Sequence, residues 1–104
     1  MTFDQTAVNY SPYLEFFVED KKVRYLGYLM LLTASEYEIL LALVKSGGCH
    51  DKRSICELLG KETKTAVNSI AVHVSAINRK AVEIGGRKII GTDRKKGYFI
   101  EKYI

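Results

Sequence analysis

The sequence predicts an α+β fold: a small N-terminal antiparallel sheet, three helices and a C-terminal β-hairpin. Three observations carry this. Residues 13–32 are rich in aromatic and β-branched side chains with turn-like breaks, residues 33–84 contain three capped stretches of helical apolar spacing, and residues 87–104 hold two β-rich runs around a polar turn. A chain of 104 residues, 47% hydrophobic, has enough apolar surface for one modest core, so residues 1–104 are read as a single domain.

Residues 1–12 are polar and unpatterned and read as a frayed lead-in. Two or three short strands follow, about Leu14 to Val18, Lys22 to Leu26 and Tyr28 to Leu32, separated by Glu19 to Lys22 and by Gly27. Thr33-Ala34-Ser35-Glu36 is a capping box, in which hydroxyl and carboxylate satisfy each other's orphan amides. It opens a helix with the inward stripe Tyr37, Leu40, Leu41 and Val44, stopped at Gly47-Gly48. Asp51 caps a shorter helix with Ile55, Leu58 and Leu59 inward and Gly60 at its end. After the polar loop Lys61 to Lys64 comes the longest helix, Thr65 to Glu83, closed by Gly85-Gly86. The hairpin strands, Arg87 to Thr92 and Gly97 to Tyr103, are joined by the basic turn Asp93-Arg94-Lys95-Lys96.

The third helix has two unlike faces. Val67, Ile70, Val74, Ile77 and Ala81 recur at 3,4,3,4 spacing and form a core stripe. Asn68, Val72, Ser75 and Arg79 point the other way, with Ser69 and Ala76 beside them, so the outer face is small and hydrogen-bond capable. A solvated helix carries Glu and Lys there; a helix that enters a groove needs short side chains. The charge is lopsided in the same sense. Residues 1–60 hold six cations against eight anions, whereas residues 61–104 hold ten against four, the pattern of a surface that neutralises phosphates. Three helices ending in a groove-sized helix and a basic hairpin form a winged helix-turn-helix, whose third helix enters the major groove while the wing reaches the backbone or minor groove.

Other classes fit poorly. No run approaches the roughly 20 apolar residues of a membrane span, and the first residues lack a signal-peptide pattern. Cys49 and Cys56 are too few for a disulfide framework and suit a reducing cytosol, so a cytoplasmic location is expected. Cys49, His50, Cys56 and His73 lack metal-ligand spacing, no nucleophile, base and orienting group fall together, and no cofactor motif occurs. The expectation is a non-enzyme without metal or cofactor.

Four segments resemble the winged-helix effector domain of OmpR/PhoB-type transcription regulators: LTASEYEILLAL (32–43), HDKRSICELLG (50–60), NSIAVHVSAINRK (68–80) and IIGTDRKKGYFI (89–100), in the family's order. The resemblance implies double-stranded DNA binding by a bacterial regulator, as in two-component systems. It implies DNA contacts at Ser69, Val72, His73, Ser75, Ala76 and Asn78 on the helix and at Thr92 and Arg94 on the wing. It further implies an RNA polymerase contact through Lys61, Glu62, Thr63 and Lys64, and tandem pairs of the domain on direct repeats. This chain departs from the family where Asn68, Ser75, Ala76 and Asn78 replace arginines. Readout is therefore expected from Asn68 and Ser75 hydrogen bonds and from Val72 against thymine methyls. Affinity is expected from phosphate contacts by Lys64, Lys80, Arg94, Lys95 and Lys96, with Arg79 as the one arginine on the outer face.

Alternatives stay open at single sites: Val72 as an isolated exposed valine, His73 as a packed histidine, the basic turn as a solvated tip. For the whole domain the rival is a winged helix whose uncharged face docks a protein and which binds DNA weakly or not at all. The parent protein is open too: a receiver domain before this segment, a ToxR-like regulator with a membrane helix after it, or a standalone regulator.

Overall fold

The computed structural model describes residues 7–9, 13–60 and 66–101. Its N-terminal sheet has four antiparallel strands in sequential order, β1 (Ala7–Asn9), β2 (Leu14–Phe17), β3 (Lys22–Tyr25) and β4 (Tyr28–Met30). The strand β1, which pairs Val8 with Phe16, corrects the expectation of an unstructured lead-in. Three residues with no periodicity are too short to announce a strand; pairing with β2 makes one. Leu14, Phe16, Val23, Tyr25 and Met30 alternate inward and are buried. Between β3 and β4, Leu26 and Gly27 both take positive φ and Tyr25 pairs with Tyr28, a two-residue turn whose twist matches the strands it joins.

Helix α1 (Ala34–Ser46) begins with the expected capping box, and α2 (Lys52–Leu59) begins with Asp51 accepting from the Ser54 amide at 2.8 Å. Their buried faces differ from the expected stripes. On α1 the fully buried residues are Tyr37, Ile39, Leu40 and Leu43, while Leu41 and Val44 are half-buried. On α2 Ile55 is buried, Leu59 half-buried and Leu58 exposed. A helix as apolar as EILLALV gives periodicity little to choose between; α1 packs against α2, α3 and the wing, and those neighbours select the face.

The third helix also starts later than expected. Val67–Ser69 form a single 3₁₀ turn, and the α-helix α3 runs from Ile70 to Gly85, where Gly86 in the left-handed region closes it with its amide on the Val82 carbonyl. Ile70, Val74, Ile77 and Ala81 are buried as the spacing requires, but Val67 sits on the tighter turn, is thrown off the stripe and is 43% exposed.

The wing pairs β5 (Ile90–Asp93) with β6 (Gly97–Ile100). Asp93 Oδ1 accepts from the amides of Lys95 and Lys96 at 2.8 and 3.2 Å, folding the basic turn. The far edge of β6 is closed by His50, in the α1–α2 link, whose amide and carbonyl bond the carbonyl and amide of Tyr98 at 2.9 and 2.8 Å. That close approach demands Gly97: its φ is +106°, and a Cβ there would run into the His50 carbonyl. Gly97→Ala should therefore cost about 1–3 kcal/mol and lower the melting temperature measured by circular dichroism. An unchanged melting temperature would mean that the His50–Tyr98 bridge does not form.

Candidate nucleic-acid interface

The outer side of α3 and the wing turn both present exposed side chains. Asn68, on the 3₁₀ turn, and Val72, Ser75 and Arg79, on α3, are exposed, with Ser69, His73 and Ala76 half-buried along the flanks. Val72 is 67% exposed, a large apolar side chain held out to solvent on the face of a helix whose opposite face is closed. Thr92, Arg94, Lys95 and Lys96 are exposed on the wing. The sequence-predicted residues Lys61, Glu62, Thr63 and Lys64 lie outside the described residues.

Two predicted contacts are otherwise engaged. The Asn78 amide bonds the start of the wing: its Oδ1 accepts from the amides of Ile89 (3.1 Å) and Ile90 (2.9 Å), and its Nδ2 donates to the Ile90 carbonyl (2.9 Å). Lys80 Nζ donates to Glu36 Oε1 at 2.6 Å, and that oxygen also takes the Thr33 amide of the capping box at 3.0 Å. Glu36 is the one buried charged side chain among the described residues, and its partner cation is held by α1. Helical spacing alone could not show this, because both residues flank the outer face and meet partners far away in the chain.

The structure adds two residues that the sequence reading missed. A cleft of about 420 Å³ lies between the start of α2 and the wing turn, and brings Lys52 and Arg53 beside Thr92, Arg94 and Lys95, with Tyr98 behind them. Asp51 and Asp93 also line it, and Asp93 is held below the ordinary carboxylate range by the Lys95 and Lys96 amides. A sequence signal existed: α2 opens on two consecutive cations, Lys52 and Arg53, directly after its Asp51 cap.

The structure described as a novel family of redox sensors in the streptococci, evolved from two-component response regulators, superposes over 97% of this chain with TM-score 0.75 and 22% identity; the chain spans 44% of that protein. The Klebsiella pneumoniae RstA DNA-binding domain bound to the RstA box matches 91% of this chain and 96% of its own length, at TM-score 0.71 and 19% identity. The DNA-binding domain of the response regulator AdeR bound to an intercistronic region matches 88% of this chain and 95% of its own, at 0.73 and 18%. The fold is the winged helix that these response-regulator DNA-binding domains share. No family model and no curated protein matches the sequence, so the likeness lies in the winged-helix backbone. Among the described residues no winged-helix segment is long and apolar enough to cross a membrane, and no three His, Cys, Asp or Glu side chains gather as a metal site.

The buried ion pair makes a pH prediction. Burial pushes the Glu36 carboxyl up, but the Lys80 and Thr33 hydrogen bonds and the charges of Lys80 and His73 outweigh it, leaving the group below its ordinary value of 4.5. A lowered folded value means that the pair's contribution is complete above pH 4.5 and is lost as pH falls from there through the folded value. Glu36→Gln should flatten that part of the stability–pH curve. Lys80→Met should cost up to about 3 kcal/mol at pH 7, the low end for a buried pair, because the Lys80 side chain keeps 25% of its exposure. Urea titrations from pH 3 to 7 read both; identical acid limbs for wild type and Glu36→Gln would exclude the coupling.

Proposed function

We propose that this domain binds double-stranded DNA as part of a bacterial transcription regulator, with the 3₁₀ turn and α3 in the major groove and the wing turn at the minor groove. The observation that carries it is the joint surface: a bare helix face of groove-compatible side chains beside a cleft where Lys52 and Arg53 meet Arg94 and Lys95. The DNA-bound relatives with the same backbone support it.

In this reading the cations of α2 and the wing hold the phosphates, while Asn68 and Ser75 hydrogen-bond to base edges and Val72 packs on thymine methyls. Ser69, His73, Ala76 and Arg79 line the groove walls, and Thr92 and Lys96 sit against the backbone beside the wing. Lys80 and Asn78 are left out of the contact set for the reasons above. The tandem pair on direct repeats and the polymerase contact through residues 61–64 belong to the same proposal; ultracentrifugation on one and two half-sites reads the first.

A second reading has an observation of its own. Val72 and Val67 are both exposed around a face on which Arg79 is the single cation, and such a face also suits a protein partner. Charge reversal at Arg94 and Lys96 separates the two, since DNA binding would collapse while protein docking on α3 would survive.

Two results are expected. Each phosphate contact removed by Lys52→Ala, Arg53→Ala, Arg94→Ala or Lys95→Ala should lower the slope of log K against log salt by about 0.9, while Lys80→Met leaves the slope unchanged. Fluorescence anisotropy on duplex measures this, and no binding at about 50 mM salt would end the DNA reading. Replacing thymine by deoxyuridine within a selected site removes only the methyl group. It should weaken wild-type binding and leave Val72→Ala indifferent; equal loss in both proteins would remove Val72 from the readout.

A further inference from the structure

The wing has two edges, and the fold closes each by a different device. In the β5–β6 ladder Gly91 faces Phe99 and the Ile89 carbonyl accepts from Glu101, so the intervening pair Ile90 and Ile100 is the non-hydrogen-bonded kind. The amide and carbonyl of Ile90 consequently point away from β6. They meet the Asn78 side chain, whose oxygen and nitrogen match them as a neighbouring strand would. The Ile89 amide adds a third bond to the same oxygen. Two N–H groups at one end and a carbonyl at the other fix the orientation of the side-chain amide. The opposite edge, at Tyr98, is closed by the His50 backbone.

The chemistry of this clamp is narrow. A primary amide offers an acceptor and a donor side by side; arginine offers no acceptor, and aspartate sets a carboxylate against the Ile90 carbonyl. Asn78 lies between Ser75 and Arg79 in the chain, on the flank of the outer face of α3, and its bonds join the helix and the wing directly. A two-stranded ribbon is marginal alone and takes its orientation from what holds it.

We propose that Asn78 is a positioning residue: its side-chain amide, bonded to Ile89 and Ile90, sets the offset of the wing from α3, so that major-groove and minor-groove contacts fall at one spacing along a duplex. The inference rests on the DNA reading and deepens it. Asn78 touches no base. It decides how far from the helix's bases the wing lands, and hence which spacing of sequence elements the domain accepts.

The test combines site selection from random duplex with amide hydrogen exchange on the free protein, using wild type, Asn78→Ala and Asn78→Asp. Wild type is expected to select two sequence blocks at one spacing. Asn78→Ala should keep the base preferences of the helix block, spread the wing block over more than one spacing, and bind the wild-type site about 2- to 30-fold more weakly. In the free protein its Ile89 and Ile90 amides should lose protection. Asn78→Asp keeps the two accepted bonds and loses the donated one, so it remains informative if Asn78→Ala fails to fold; it should retain protection at Ile89 and Ile90 and relax spacing less. Unchanged spacing and affinity in both variants would overturn the proposal, as would lost base preference in the helix block, which would make Asn78 a reader. Unchanged exchange in Asn78→Ala would overturn the clamp itself. If wild type selects no site, the DNA reading fails and the positioning role falls with it, whatever the exchange shows.

Discussion

Burial of Ile70, Val74, Ile77 and Ala81 on one side of α3 is the constraint from which the rest of the molecule follows. Closing that stripe commits the helix to a single rotation, and the rotation decides which side chains remain outside. Each of the four is fully or nearly fully buried, and truncating a buried isoleucine typically costs about 2–5 kcal/mol, a large share of a small domain's stability. The outer face can be sparse and uncharged because it contributes little to holding the helix in place.

Polar bonds refine what the stripe begins. The Lys80–Glu36 pair ties the middle of α3 to the first turn of α1, and the same carboxylate completes that helix's capping box. Desolvating a carboxylate is costly, and here the cost is offset by two donors on one oxygen. On the other flank Asn78 fastens α3 to β5, while the His50 backbone fastens the α1–α2 link to β6. The wing is therefore a ribbon held at both edges by the helical layer, which keeps its basic turn and the first turn of α2 around one cleft.

Under the DNA-binding proposal this layout divides the work of recognition. Cations sit on α2 and the wing, where a duplex backbone would pass, and the helix face is left to short donors and the exposed Val67 and Val72. Electrostatic attraction acts at a distance and without regard to sequence, whereas methyl contacts and single hydrogen bonds act only at close fit. In that proposal a helix with a single outer cation, Arg79, gains selectivity from where it is held as much as from what it carries.

By itself the sequence determined the elements whose signals are local. The capping box at Thr33–Glu36, the Asp51 cap, the break at Gly27, the inner stripe from Ile70 onward and the basic hairpin tip all rest on neighbours within a few residues, where propensity, capping and periodicity act. The tertiary structure decided what depends on partners distant in the chain. It alone paired β1 with β2, buried Ile39 and Leu43 more deeply than Leu41 and Val44, and expelled Val67 onto a 3₁₀ turn. It also brought Lys52 and Arg53 to the wing and engaged Asn78 and Lys80 inside the fold. Helical geometry places a side chain on a face, but whether it meets solvent, a phosphate or a buried partner is set by the element packed beside it, and that element lies elsewhere in the sequence.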